Sequence, residues 1–558
     1  MTAIALSSDH PGREGGTMLY FIPAWYHQDQ WCENEQKWHV RRMHTEFDDT
    51  VKQIQLFHRS RSYPYQILLP GYTPNFRHFL HRQGIFHAPY WSCFDAVQEI
   101  RRKKAVPLSF YNMKWPPYTE FIYTMFAVVA LHRGQKYAQI EFGEDGNPIQ
   151  IDLYKKGGIC RRNLYDDRGF LSSTILFQED EKPFRQDYLM ENGMWKLRHF
   201  LEDGHVEINP GCPEYLIMNG NAEEKRSFSR LVYDRLEQVI GEVFSSYVEL
   251  TKVQDLFCLA MHDRHTGLMR KALKGKRTIL SFFEDRYSYE EHMECLGLLE
   301  SAGYVVMDSR ESLKKIRQVM GGLIKKSKSI PPFDTRVDPG ISQQLEVQKI
   351  LVPVDSLEPE IFERMVRVLN AYLGKNDKAV VCLFTRQADY GRDRKLLDLV
   401  SGYLETPDSV KGQSGQRTGT FVSENAVDSP EPKAERFQVE QCVDELSVSR
   451  CMREQRVLLE LREQPELYLQ IMAISVGIPQ IVRTRTQFVR PGRNGVVLGN
   501  INELSGVLAH YLESLKNWND AMIASYRIGK KYTTDVLVKQ WKEVIDSFGE
   551  DSNLTAGQ

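Results

Sequence analysis

Two ends of this chain share one texture and the middle has another. Near the start, Leu19 to Pro23 (LYFIP) and Tyr65 to Pro70 (YQILLP) are apolar runs of strand length. Between them FDDTVKQIQLFHRS repeats apolar residues at helical spacing, with Val51, Ile54, Leu56 and Phe57 on one side. Strand, helix, strand predicts a parallel sheet. From about Tyr118 to Pro210 the runs EFIYTMFAVVAL, KYAQIEF, IQIDLY, LSSTILF and HVEIN are separated by HRGQ, GEDGNP, KKGG and EDEKP. Strand-length runs joined by Gly, Asp, Asn and Pro turns predict an antiparallel meander, inserted into the first domain.

Helical periodicity returns near Phe228 with LVYDRLEQVIGEVFSSYV, after which DLFCLAM, KRTILSFF and GYVVMD alternate with helices to Met320. A second alternating block begins at Lys349 with KILVPV, the helix EIFERMVRVLNAYL and the strand AVVCLF, and continues through RVLLEL, IPQIV and GVVLG. Two sheets of this kind make a cleft. The polar stretch from Glu405 to Arg436 has almost nothing to bury and reads as a disordered loop.

Length agrees with that division, because 558 residues exceed what one core organises. With 72 Lys and Arg against 74 Asp and Glu, the formal charge is -2, and no global pull toward nucleic acid or membrane follows. The nine cysteines are scattered without a C-x-x-C pair, which fits reduced thiols in a cytosol and neither a disulfide framework nor a zinc knuckle. The longest apolar run, Phe121 to Leu131, is about half of the roughly 20 residues a membrane span requires. Residues 1 to 17 do not read as a signal peptide, and Met18, directly ahead of the first strand, fits a true start.

Standard catalytic signatures are missing: no G-x-S-x-G, no phosphate loop, no G-x-G-x-x-G and no H-E-x-x-H. His78 with His81, and His262 with His265, are spaced to share a helix face, but neither pair has a third ligand fixed nearby, so no metal site is expected. Asp48 with Asp49, and Asp166 with Asp167, are adjacent carboxylates that should point apart; capping, turn formation and pairing with Arg168 are the expected roles. Basic runs occur at Arg101 to Lys104 and near Lys325. In RESLKKIRQVMGGLIKKSK, Leu313, Ile316, Met320 and Leu323 recur at helical spacing, with Lys314, Lys315 and Arg317 between them and Lys325, Lys326 and Lys328 following. That is the form of a basic amphipathic helix able to lie on an anionic membrane surface, although an ordinary domain helix with a solvated rim is the commoner source of such a pattern.

The most specific pattern is at the C-terminal end. SVGIPQIV, then a Gly-x-Asn-Gly turn at Gly492 to Gly495, a helix pair, and a final helix spanning Tyr532 to Ile545 resemble the closing portion of retaining GT-B glycosyltransferases. In those enzymes two glutamates, eight residues apart, precede the G-[IL]-P strand and grip the donor; here the positions are Gln464 and Met472, with Glu463 and Glu466 out of register. The Arg and Lys that neutralise the donor diphosphate should follow the first strand of the second domain, where Ser356 to Ile361 carry no basic residue. A site without cations or donors cannot stabilise a leaving diphosphate.

From Met18 onward the chain also resembles the first of the Asp components of the accessory Sec system, which exports glycosylated serine-rich-repeat adhesins in Gram-positive bacteria. The resemblance is carried by LYFIPAWY (Leu19 to Tyr26), EFDDTVKQIQLFH (Glu46 to His58), RHFLHRQG (Arg77 to Gly84), YAQIEFG (Tyr137 to Gly143), DDRGFLSS (Asp166 to Ser173) and SVGIPQI (Ser475 to Ile481). The N-terminal extension and the Glu405 to Arg436 loop depart from it. It implies an α/β, GT-B-like fold of two Rossmann-type domains: 18–117 with 213–340, and 341–558 ending in a crossing helix, with the meander over 118–212. It further implies a non-catalytic cytoplasmic protein, peripheral at the membrane at most. Such a protein assembles with sister Asp components and delivers glycosylated adhesin to an accessory SecA-type motor ATPase, with no cofactor, no metal and no nucleic acid. Two rival readings are an active glycosyltransferase, which needs the missing glutamates, and a glycan-binding module using Trp25, Tyr26, Trp31 and Trp38 as stacking platforms.

Overall fold

The computed structural model describes residues 16–26, 30–32, 48–220, 222–288, 295–387, 389, 391–404 and 433–555. The extension over 1–15, nearly all of the Glu405 to Arg436 loop, and Trp38 lie outside the described residues.

The architecture is α/β, with two parallel sheets and one antiparallel layer. The first parallel sheet has seven strands, in the spatial order Ser327–Ser329, Tyr304–Met307, Arg277–Phe282, Leu256–Ala260, Leu19–Ile22, Tyr65–Leu69, Tyr90–Ser92. Its inner strands are apolar because both faces are covered: LYFI and LFCLA are buried at every position. The second has six, in the order Phe437–Gln441, Ala379–Thr385, Gln348–Pro353, Gln455–Glu460, Gln480–Val482, Gly495–Val497. In each sheet the chain starts at the centre, builds outward to one edge, and then returns to build toward the other. The connections therefore diverge between Leu19–Ile22 and Leu256–Ala260, and again between Gln348–Pro353 and Gln455–Glu460. Such switch points open a crevice at the carboxyl ends of the strands.

Ten antiparallel strands are inserted between the third and fourth strands of the first sheet, running from Thr119–Tyr123 to Val232–Tyr233. Two-residue turns at Arg133-Gly134 and Lys156-Gly157 put both residues at positive φ, the conformation that matches strand twist and that Gly makes cheap. The layer continues beyond 212: a separate hairpin pairs Glu214–Asn219 with Ala222–Ser227, and the residues just before helix Leu236–Glu249 still pair as strand. The run EFIYTMFAVVAL is also not one strand. Thr124 breaks it, its N–H and hydroxyl both donating to the Ala127 carbonyl, so Thr119–Tyr123 folds back on Val128–His132 as the outer hairpin of the layer.

The last helix, Thr534–Thr555, leaves the second domain and packs on helix Asp49–Ser60 of the first. Trp541 sits edge-on to Phe57 with ring centroids 6.0 Å apart, and Leu537, Val544, Ile545 and Phe548 complete the apolar stripe. Gly303 permits this approach, since a Cβ there would lie 2.1 Å from Phe548 Cε1. Gly303→Ala is therefore expected to destabilise the protein by about 1–3 kcal/mol through overpacking, read as a lower denaturant midpoint.

Candidate functional site

The carboxyl ends of both parallel sheets face one cleft, and side chains of this chain fill it. On the first-domain side, Arg286 follows strand Arg277–Phe282. Its guanidinium donates to Asp48 Oδ2 (2.7 Å), to both oxygens of Asp49, and through Nε to the Met261 carbonyl (2.9 Å). Asp48 is also the N-cap of helix Asp49–Ser60, accepting from the Thr50 and Val51 amides. Capping is thus as expected, but the two carboxylates do not point apart: a single guanidinium draws them together. Asp166 and Asp167 do diverge. Asp166 pairs with Arg168 through two bonds of 2.7 Å, with Asp95 on the other edge of that guanidinium, while Asp167 accepts from the Arg77 amide (2.8 Å).

On the second-domain side, arginines arrive one or two residues beyond successive strands, as in LFTR, LELR and QIVR. Arg386 donates Nε to Glu466 Oε1 (2.7 Å), and Arg462 binds Glu460 through Nε (2.8 Å) and Nη2 (2.6 Å). Arg392 lies 3.5 Å from Asp355 and Arg483 2.8 Å from Glu358. Asp355 also accepts from Thr385 Oγ1 and the Arg386 amide, both at 2.7 Å. Cations therefore do reach the region that Ser356 to Ile361 leaves without any, and each of these four has a carboxylate partner from its own domain.

The position of the first donor glutamate faces the opposite domain. Gln464, its carboxamide nitrogen turned toward the acid, donates to Asp285 Oδ1 at 3.0 Å. Met472 packs against the apolar cluster under the second sheet. Lys52 reaches Glu445 across the cleft, and Phe333 lies between Phe283 (6.1 Å) and Tyr468 (5.0 Å). Glu284, at φ 44°, stands at the cleft rim with part of its surface in solvent and the cleft walls crowding the rest. Its carboxyl is pushed up to about 8, first by the loss of surrounding water and then by repulsion from Glu466 and Asp308.

The histidine pairs hold no common ligand. His78 faces Asp145 (3.2 Å), while His81 faces Glu144 (3.7 Å). His262 caps helix Asp263–Ala272 through Nδ1. His265 is fully buried and neutral, its pKa pushed down to about 3 by burial. With Nε2–H donating to the Ala260 carbonyl (2.6 Å), Nδ1 accepts from Tyr26 Oη (2.7 Å). The proposed stacking faces are also in use: Trp25 lies on Phe79 (4.7 Å), and Trp31, 6% exposed, packs against Tyr26.

Helix Arg310–Met320 buries Ile316 and Met320. Arg317 bonds Ser327, Lys326 the Ser547 carbonyl and Lys328 Glu543. Among the described residues Lys314, Lys315 and Lys325 are exposed and have no ion-pair partner. No helix there is long and apolar enough to cross a membrane.

The family model for the first Asp protein of the accessory Sec system matches residues 18–547. The chain belongs to that family. A member from Streptococcus gordonii is 32% identical over 546 residues, which cover 95% of this chain and all of that one. Among solved structures, that of accessory secretory proteins 1, 2 and 3 of Streptococcus pneumoniae superposes with a TM-score of 0.75 at 27% identity, over 96% of this chain and 100% of the matched one. The pneumococcal O-GlcNAc transferase GtfA, solved with UDP and GlcNAc, superposes at 0.65 with 11% identity over 96% and 99%. That likeness places the fold, GT-B glycosyltransferase-like, and nothing of the chemistry.

Glu284 supplies a test of the cleft's field. A carboxyl whose folded pKa is raised costs the folded state more and more as pH climbs from the group's ordinary value, near 4.5, through about 8. Glu284→Gln should therefore raise Tm more at pH 9 than at pH 5, by on the order of 2 °C once solvent screening is discounted. An equal change at both pH values would show that the field is absent.

Proposed function

We propose that this chain is a non-catalytic, partner-binding component of the accessory Sec pathway. It assembles with sister Asp components and helps to pass glycosylated adhesin to the accessory SecA-type motor. The cleft is the observation that carries this reading: its arginines are matched by internal carboxylates, and Gln464 and Lys52 reach to the other domain. A diphosphate meeting Arg386, Arg462, Arg392 or Arg483 has to compete with the carboxylate each already holds.

The outer hairpin of the antiparallel layer is the surface best suited to a sister protein. Among the described residues its edge strand pairs on one side only, and around it Tyr118, Ile122, Tyr123, Met125 and Phe126 are 89%, 49%, 59%, 80% and 54% exposed. An unpaired edge beside contiguous apolar side chains is costly to leave in water and well suited to a protein interface. The structure of accessory secretory proteins 1, 2 and 3 supports sister partners for a relative.

The test is a strain carrying Tyr123→Glu with Phe126→Glu beside a deletion strain. The expected outcome is loss of co-purifying sister Asp protein and adhesin retained in the cytosol in glycosylated form. Adhesin exported but bare of sugar would instead make the protein a glycosylation factor.

Contact with anionic lipid belongs to the same proposal and rests on Lys314, Lys315 and Lys325, since Arg317, Lys326 and Lys328 are held by neighbours. Replacing the three exposed lysines by Gln should weaken binding to anionic liposomes, read by flotation, by roughly 100-fold, at about 1 kcal/mol per charge. Lys328→Gln should change it little. Unchanged flotation in the triple variant leaves the segment an ordinary domain helix.

A further inference from the structure

Three metal-ligating groups separated along the chain meet on the inner face of the second sheet. Glu440, in edge strand Phe437–Gln441, and Cys442, just past it, stand two residues apart and so project to the same side. That side is the one from which Cys382, Phe384 and Leu458 enter the core. Cys451 comes to meet them from helix Glu445–Glu454. A carboxylate oxygen of Glu440 and the two sulfurs all lie within 4.8 Å of one another. Cys442 is 4% exposed and Cys451 8%.

We propose that Glu440, Cys442 and Cys451 form a zinc site. Tetrahedral zinc, with bonds of about 2.3 Å to sulfur and about 2.1 Å to oxygen, needs ligand atoms roughly 3.5–3.8 Å apart, so the cluster closes on an ion by movements of about 1 Å or less. Two thiolates and one carboxylate suit zinc among the divalent ions: sulfur selects a soft metal, and zinc demands no redox partner.

On binding, two S–Zn bonds form, each thiol that still carries a proton releases it to solvent, and no electrons are transferred.

Gln455 is fully buried and steadies Cys451: its Nε2 donates to the Cys451 carbonyl (3.0 Å) and lies 3.5 Å from Cys451 Sγ. Zinc held by three protein ligands takes a water in its fourth position. An occupied site would fasten edge strand to helix. The first residue of that helix is Glu445, which reaches Lys52 in the other domain. Zinc would then stiffen one of the cleft's own clamps.

The experiment uses the full chain, stripped with a chelator and dialysed against limiting zinc, with cobalt as a spectroscopic substitute. About one zinc per chain should be retained, cobalt should produce thiolate-to-metal charge-transfer absorption, and zinc should raise Tm by mass action. Cys442→Ser with Cys451→Ser should abolish the retention and the absorption, while Cys93→Ser should change neither. Loss of groups that merely support a ligand costs 10–100-fold in affinity. Glu440→Gln, which preserves shape and keeps the test open if the double variant folds poorly, should therefore weaken zinc binding by about 100-fold or more. Three results would overturn the site: no stoichiometric retention, retention undiminished in the double variant, or thiol titration showing Cys442 and Cys451 joined as a disulfide in fresh protein.

Discussion

Pairing between the cleft arginines and carboxylates of the same chain is the constraint on which the rest of this molecule depends. Arg386 with Glu466 and Arg462 with Glu460 are short, charge-assisted contacts, and Glu460 is wholly buried. Hydrogen bonds to charged groups of this kind are worth about 1.5–3 kcal/mol each. An entering diphosphate must first displace a partner already in place. At about 1.4 kcal/mol per factor of ten, that competition lowers anion affinity by roughly 10- to 150-fold for each arginine. Deleting a carboxylate would leave a buried cation unpaired, which costs more than the pair contributes. Such a cleft is easy to keep closed and hard to reopen.

With the cleft occupied, the capacity for recognition moves outward. The antiparallel layer buries its own cluster around Ala130, Ala138, Ile140 and Ile151 and is tied to the first domain by bonds such as Tyr72 Oη to Ser172 Oγ (2.9 Å). It is a firm platform. Among the described residues its outer strand is an edge beside the exposed Tyr123 and Met125, where soluble proteins ordinarily place charges or cover the strand. A surface of that kind is costly to leave in water and favours being covered.

Fold class was legible because periodicity is local. LYFIP, YQILLP and KILVPV announce buried strands whatever surrounds them, and the turns HRGQ and KKGG name their own geometry. The break at Thr124 was hidden, since an apolar hairpin tip and an apolar strand read alike until a partner strand sets the register. In the cleft, the empty donor positions could be counted back from Gly477. The arginines could not, because Arg386 and Arg462 lie far apart in sequence and meet at Glu466 only when the strands they follow take their places on either side of Gln348–Pro353. A pattern of basic residues just past successive strand ends was the available signal. The convergence of Asp48 and Asp49 on Arg286 depends on a residue more than two hundred positions away, and the Glu440, Cys442 and Cys451 cluster has no spacing that a motif would catch.

A two-domain transferase needs a hinge, because donor entry, closure and product release are separate states. Here the ties across the hinge are numerous and of different kinds. Trp541 and Phe548 bury a helix of the second domain in the first, Phe333 bridges aromatic rings from both, and Lys52 and Gln464 add polar contacts at the cleft mouth. Each is modest alone, but opening breaks them together, so their costs add along a single coordinate. In an enzyme such stiffness would slow turnover. On the partner-binding role proposed above it is an advantage, since a rigid surface loses less entropy on binding than one that must first choose among domain arrangements.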